Sequence, residues 1–229
     1  MNSAFVGYYR GMGMHAGLSW TGRRWFHVRV DEGAQGWWEV TFSGYGYAPY
    51  RGYYANGKLK EEGVCLVEEN GTIGEPLPDR HRIVEGRYFD PTGRLASKVS
   101  RGTGRQILFY ADGTKSWDLQ LQDGHRVQMK MYWPTGKLAS FERYASDDRV
   151  DGPAYGNHSD GSPRTRGRYV NGERNGIWYR FFEDGSVKAI EHYDPAPAAT
   201  EEFARGQKRL SEAEMSALEG EFHRASRTP

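Results

Sequence analysis

The chain has 229 residues, with 31 Lys and Arg against 30 Asp and Glu, a formal net charge of +1; these charges are interleaved and form no basic stripe, which argues against a nucleic-acid binder. Aromatics (7 Trp, 15 Tyr, 10 Phe) outnumber Leu, Ile and Val, and there are 30 glycines, so rings supply most of the buried area and a single compact core is not expected. One cysteine, Cys65, excludes an internal disulfide.

The first residues, Met1-Asn2-Ser3-Ala4-Phe5, lack a basic stretch followed by an apolar one, and no apolar run has membrane-span length, so the chain is expected in the cytoplasm. On that reading the triplets Asn70-Gly71-Thr72 and Asn157-His158-Ser159 are not glycosylation sites. Asp31-Glu32-Gly33-Ala34-Gln35-Gly36-Trp37-Trp38 opens a repetitive region, with a degenerate copy before it around Trp20 to Trp25. One phrase then returns: an aromatic pair, turn residues ending in Gly, and a short basic-apolar stretch. It begins at Tyr53, Phe89, Phe109, Tyr132 and Phe181, and a degenerate copy surrounds Asp160-Gly161. The marker glycines 57, 93, 113, 136, 161 and 185 are 36, 20, 23, 25 and 24 residues apart, so each repeat is about two strands long and the first gap holds an insertion, at 67–80.

Asn-Gly and Asp-Gly at these positions predict two-residue hairpin turns of type I′, which need positive φ at both central residues. The aromatic four residues before each Gly (Tyr53, Phe89, Phe109, Tyr132, Phe181) and the aliphatic two after it (Leu59, Leu95, Leu138, Val187) are placed to meet across the ladder. A second glycine signal, Asn171-Gly172, opens the best-preserved copy. Lys115 departs from the pattern, as do Asn157 and His158, which stand where two aromatics belong; these positions are expected to be irregular or given over to a partner. After the segment from Asp194 to Ala199 the pattern changes to a helix, with a capping box at Ser211-Glu212-Ala213-Glu214 and Met215, Leu218 and Phe222 on one face; Phe203 and Leu210 mark an earlier turn. The expected organisation is a repeat domain over 1–194, clearest at 31–193, then a Pro/Ala linker and C-terminal helix over 195–229. That helix either caps the last sheet edge or grips a partner.

The repeats resemble the variant MORN repeat, whose units are antiparallel hairpins stacked in an elongated, twisted sheet, and within that group they are similar to bacterial YwqK-like antitoxin or immunity proteins. The resemblance implies an all-β fold of stacked hairpins with a short helical tail. It also implies a protein that binds and neutralises a cognate toxin by blocking its active site or substrate entry; a structural scaffold touching protein or lipid is the alternative reading.

No residue pattern points to chemistry. Cys65 lies in an apolar run, and the seven histidines are scattered singly without ligand spacing. Gly11-Met12-Gly13, Gly44-Tyr45-Gly46 and Gly102-Thr103-Gly104 lack a P-loop ending and read as turns. No enzyme, metal or cofactor is therefore expected, and the absence of a polybasic cluster argues against a membrane partner. Two stretches are candidate partner surfaces. From Glu61 to Asp79 the chain carries acids and no Lys or Arg, so Glu68, Glu69, Glu75 and Asp79 form either a solvated hairpin or an arm for a basic surface. From Trp37 to Tyr50 the rings are too many for one face of a one-layer sheet, which nominates Trp37, Tyr45, Tyr47 and Tyr50 as contact residues.

Overall fold

The computed structural model describes residues 14–15, 26–31, 36–42, 46–67, 82–194 and 196–227. The chain divides into two compact units, residues 1–114 with 121–124, and residues 115–120 with 125–229. The first unit contains β1 (Met14–His15), β2 (Phe26–Asp31), β3 (Trp37–Phe42), β4 (Gly46–Tyr53), β5 (Leu59–Val67), β6 (Arg82–Phe89), β7 (Leu95–Ser100) and β8 (Thr103–Phe109). Most of β9 (Lys115–Gln122) falls in the second, with β10 (His125–Tyr132), β11 (Leu138–Arg143), β12 (Gly152–Asn157), β13 (Pro163–Val170), β14 (Glu173–Phe181), β15 (Val187–Asp194), β16 (Ala196–Glu202) and α1 (Glu212–Arg227). Within each unit the strands are antiparallel and follow sequence order, as the all-β hairpin reading predicts.

Each marker glycine ends a hairpin turn, but the turn is not the two-residue form. Gly57 N–H donates to the Tyr54 carbonyl (2.8 Å) and Tyr54 N–H to the Lys58 carbonyl (2.9 Å), which encloses three residues, and of these only Gly57 has positive φ, at 81°. This is a type I turn followed by a left-handed glycine. The same pair of bonds recurs at Gly93, Gly113, Gly136, Gly161 and Gly185. Asn or Asp is favoured before the glycine for its side chain: Asn56, Asp112, Asp160 and Asp184 each accept from the N–H two residues on. Type I′ turns occur instead at the opposite strand ends, where both residues of Arg101-Gly102 (φ 49° and 74°) and Asn171-Gly172 (φ 52° and 87°) are left-handed.

The extra turn residue makes a bulge one step inside each tip, and across it the expected partners face each other: Tyr53 and Leu59, Phe89 and Leu95, Tyr132 and Leu138, Phe181 and Val187. Successive tips are hooked together. Tyr54 Oη donates to the Phe89 carbonyl (2.7 Å), Trp133 Nε1 to that of Asn157 (3.1 Å), and His158 Nε2 to that of Phe181 (3.1 Å). At Asn157, expected to be irregular, the register shifts as it does at other tips, and His158 supplies a ring donor as Tyr54 and Trp133 do at theirs. Asn157 is buried with its Nδ2 donating to the Leu138 carbonyl (3.0 Å). Lys115 pairs with Asp118 (3.1 Å) and lies over the Tyr132 ring (5.4 Å).

Rings fill one face by lying on strand glycines. In the first unit Tyr50 rests on Gly63 and hydrogen-bonds the Tyr88 hydroxyl at 3.0 Å, and Ala48, Cys65, Ile83 and Val99 complete the interior. In the second, Trp178 lies on Gly167, whose Cβ would come within 2.1 Å of the indole. Ala196–Glu202, expected as linker, is instead a strand paired to β15, with Pro197 tolerated on an outer strand. The capping box forms, Ser211 N–H donating to Glu214 Oε2 (2.7 Å) and Glu214 N–H to Ser211 Oγ (3.3 Å). Helix α1 does not cap the last edge, which β16 occupies. Its Met215 and Leu218 pack, with Phe203 and Leu210, on the face formed by Phe181, Val187 and Ile190. The side chain of Phe222 lies outside the described residues.

Candidate functional site

Alternation along β4 buries Ala48, Tyr50 and Gly52 and turns Tyr47, Pro49 and Arg51 to the other face. That second face of the first unit holds an open groove of about 720 Å³ across β3 to β7. Its centre is a row of charged side chains, one from each strand, in direct register: Glu39 opposite Arg51, Arg51 opposite Glu62, Glu62 opposite Arg87, and Arg87 opposite Lys98. Glu62 pairs with both arginines, at 3.7 Å to Arg51 and 3.0 Å to Arg87. Glu39 accepts from Tyr53 Oη at 3.1 Å, and the Arg87 guanidinium lies 5.3 Å from the centre of the Phe89 ring. Lys98 is exposed and has no carboxylate within ion-pair reach among the described residues. Two cations directly opposite each other repel, so the Arg87–Lys98 end of the row favours an anion.

Of the residues nominated from sequence, Trp37 and Tyr47 stand on the groove's face. Trp37 stacks on Tyr53 at 5.1 Å, and Tyr47 is 69% exposed. Tyr50 alternates to the opposite face and is buried, which raises its phenol pKa through desolvation, and it also borders the groove. Tyr45, Glu68, Glu69, Glu75 and Asp79 lie outside the described residues. The acidic run begins at Glu61 and Glu62, which have structural partners: Glu61 is buried and accepts from Gln106 Nε2 (3.5 Å), and Glu62 bridges the two arginines.

Sequence reasoning missed the charged row, although its signal is present. Arg51 and Arg87 stand six residues before their marker glycines, and Glu62 and Lys98 five after them. The same offsets in the second unit give Lys130 and Phe141, Tyr155 and Arg166, then Tyr179 and Ile190, which also form one row in register. There α1 covers part of the row, with Glu219 Oε1 2.7 Å from Arg166 Nη2.

Burial pushes the Cys65 thiol up to about 11, and its Sγ contacts the Ala48 carbonyl at 3.5 Å, which makes it an inert packing group at neutral pH. No group of three or more His, Cys, Asp or Glu side chains could hold a metal ion among the described residues. No described helix is long and apolar enough to cross a membrane.

The family model of the MORN repeat variant matches residues 48–64 and 174–194. These are the hairpins tipped by Gly57 and Gly185, one in each unit, and the match supports a MORN-repeat protein. Comparison with curated proteins gives no match.

Proposed function

We propose that this chain is a binding module for another protein, and that the partner is a cognate toxin whose active site or substrate entry it blocks. The observation that carries the binding reading is the exposed charged row Glu39–Arg51–Glu62–Arg87–Lys98, set in register across five strands in an open groove. Surface ion pairs contribute about 0–1 kcal/mol each to folding, and the Arg51–Glu62–Arg87 network leaves Lys98 outside it, with no carboxylate within ion-pair reach among the described residues. The row's value lies in orienting and selecting a partner. The toxin reading adds the resemblance of the repeats to antitoxin and immunity proteins. A repeat scaffold for protein or lipid contacts is the broader class to which it belongs.

The test is co-expression with the product of the adjacent open reading frame. The proposal expects that product to arrest growth alone, to be neutralised by this chain, and to form a complex with it on size exclusion. A harmless product, or a toxic one neither bound nor neutralised, would reject the toxin reading. Sedimentation with vesicles containing anionic lipid would then favour the scaffold.

A further inference from the structure

The two units carry the same row of repeat positions in two different states. In the second unit the row runs Lys130, Phe141, Tyr155, Arg166, Tyr179, Ile190, and α1 lies against its later members. Leu218 and Met215 pack in the cluster containing Tyr179 and Ile190, and one turn on, Glu219 meets Arg166. Arg166 is otherwise expensive to bury: its side chain is 5% exposed and burial lowers its pKa, an effect the helix carboxylate opposes. The chain therefore shows what one such row accepts, an amphipathic helix laid on the sheet with a carboxylate directed at the cation five residues after a marker glycine.

In the first unit Lys98 occupies that same position relative to Gly93, and no described helix lies on the row. Arg87 is directly opposite, where the second unit has Tyr155, and it is paired with Glu62, so Lys98 is the cation at this end with no carboxylate within ion-pair reach among the described residues. The neighbouring Glu85 Oε1 is engaged by the Arg101 N–H at 2.9 Å and the Ser100 hydroxyl at 3.3 Å. Strands are about 4.8 Å apart and a helix rises about 5.4 Å per turn, so successive turns of a helix crossing the strands meet successive strands. We infer that the groove of β3 to β7 is the docking surface for an acidic helix of the partner protein, which sets one carboxylate against Arg51 and, two turns on, another against the Arg87–Lys98 pair, with the turn over Glu62 uncharged. The inference rests on reading this face as a protein-binding surface and adds the chemistry of its occupant. Row positions that are aromatic or aliphatic in the second unit are charged in the first, which suits an occupant that associates and leaves rather than one built into the fold.

The probe is a dye-labelled, alanine-based helical peptide with Glu at every seventh position, two turns apart. Controls are the same peptide with Lys in place of Glu, the Glu peptide interrupted by central prolines, and a single-stranded oligonucleotide. Fluorescence anisotropy at low salt is expected to show binding of the Glu helix and weaker binding of every control. Lys98→Gln and Arg87→Gln should each weaken it about three- to tenfold, and Lys137→Gln, at a hairpin tip of the second unit, should leave it unchanged. The thermal midpoint of Lys98→Gln should hold or rise, because the substitution removes a like-charge pair. Failure of the Glu helix to bind, binding indifferent to Arg87 and Lys98, or preference for the oligonucleotide would each overturn the inference. Toxin neutralisation surviving that failure leaves the proposed function standing, and Glu-helix binding without neutralisation rejects the toxin reading alone.

Discussion

The stacking of rings on strand glycines makes a prediction whose sign depends on genetic background. Trp178 is 4% exposed, donates from Nε1 to the Arg168 carbonyl at 3.1 Å, meets the Tyr169 ring edge-on at 4.9 Å and carries the Arg174 guanidinium at 4.5 Å. Trp178→Ala should cost about 3–5 kcal/mol through lost burial and the cavity left behind. Gly167→Ala attacks the same contact from the other side, since its Cβ would stand 2.1 Å from the indole. The ring must leave its slot or the strand must shift, so the loss should be at least about 2 kcal/mol. With Trp178 already Ala, that obstacle is gone. Gly167 lies outside the left-handed region, so Ala fits its backbone and should stabilise the double variant by about 0.4–1 kcal/mol through a restricted unfolded chain. The coupling is then about 3 kcal/mol, measurable by urea unfolding followed by far-ultraviolet circular dichroism, a signal that does not use the deleted indole. Equal cost of Gly167→Ala in both backgrounds, within about 0.5 kcal/mol, would refute ring-on-glycine packing as the basis of the interior.

Asp90 accepts from the Thr92 hydroxyl and from the Thr92 and Arg94 backbone N–H groups, which lowers its pKa from 3.8 to about 2. Because the folded value is the depressed one, its stabilisation of the turn is present above pH 3.8 and is lost as pH falls towards 2; carboxyl NMR should show the low titration, and an ordinary value would mean the turn bonds are absent. Glu219→Ala leaves Arg166 with the carbonyls of Gly156 and Thr165 as its remaining hydrogen-bond acceptors and should cost about 1–3 kcal/mol in urea unfolding, whereas no change would mean α1 is not seated on the row. Cys65, with its thiol raised to about 11, should resist Ellman's reagent at pH 8 until the chain unfolds, and rapid labelling of the native protein would contradict its burial.

The hairpin ladder was legible because a left-handed residue at each tip demands glycine, and six glycines at near-regular spacing mark it without reference to anything else. The type of turn was misread at those tips: Asn56 and Asp184 were credited with tolerating positive φ, when their side chains bond the N–H two residues on. His158 looked like a damaged aromatic because ring area was the expected requirement, while its ring N–H makes the same rung as Tyr54 and Trp133. Capping box and apolar stripe identified α1, yet an apolar stripe states only that a helix is covered; the surface it meets depends on Ile190 and Arg166 being brought together across three strands. The Glu39 to Lys98 row was illegible for a related reason. Its members are scattered over some sixty residues and become neighbours only once strand register is known, although their fixed offsets from Gly57 and Gly93 are visible afterwards.

The central claim is that another protein binds the face of β3 to β7, and the most direct measurement is amine labelling of the lysines, read by mass spectrometry, in the chain alone and in complex with the adjacent gene's product. Lys98 is expected to be labelled readily in the free chain and at least about tenfold more slowly in the complex, while Lys58 and Lys137 at the hairpin tips change little. A stable complex in which Lys98 is labelled at its free rate would contradict the claim, because the partner would then be bound elsewhere.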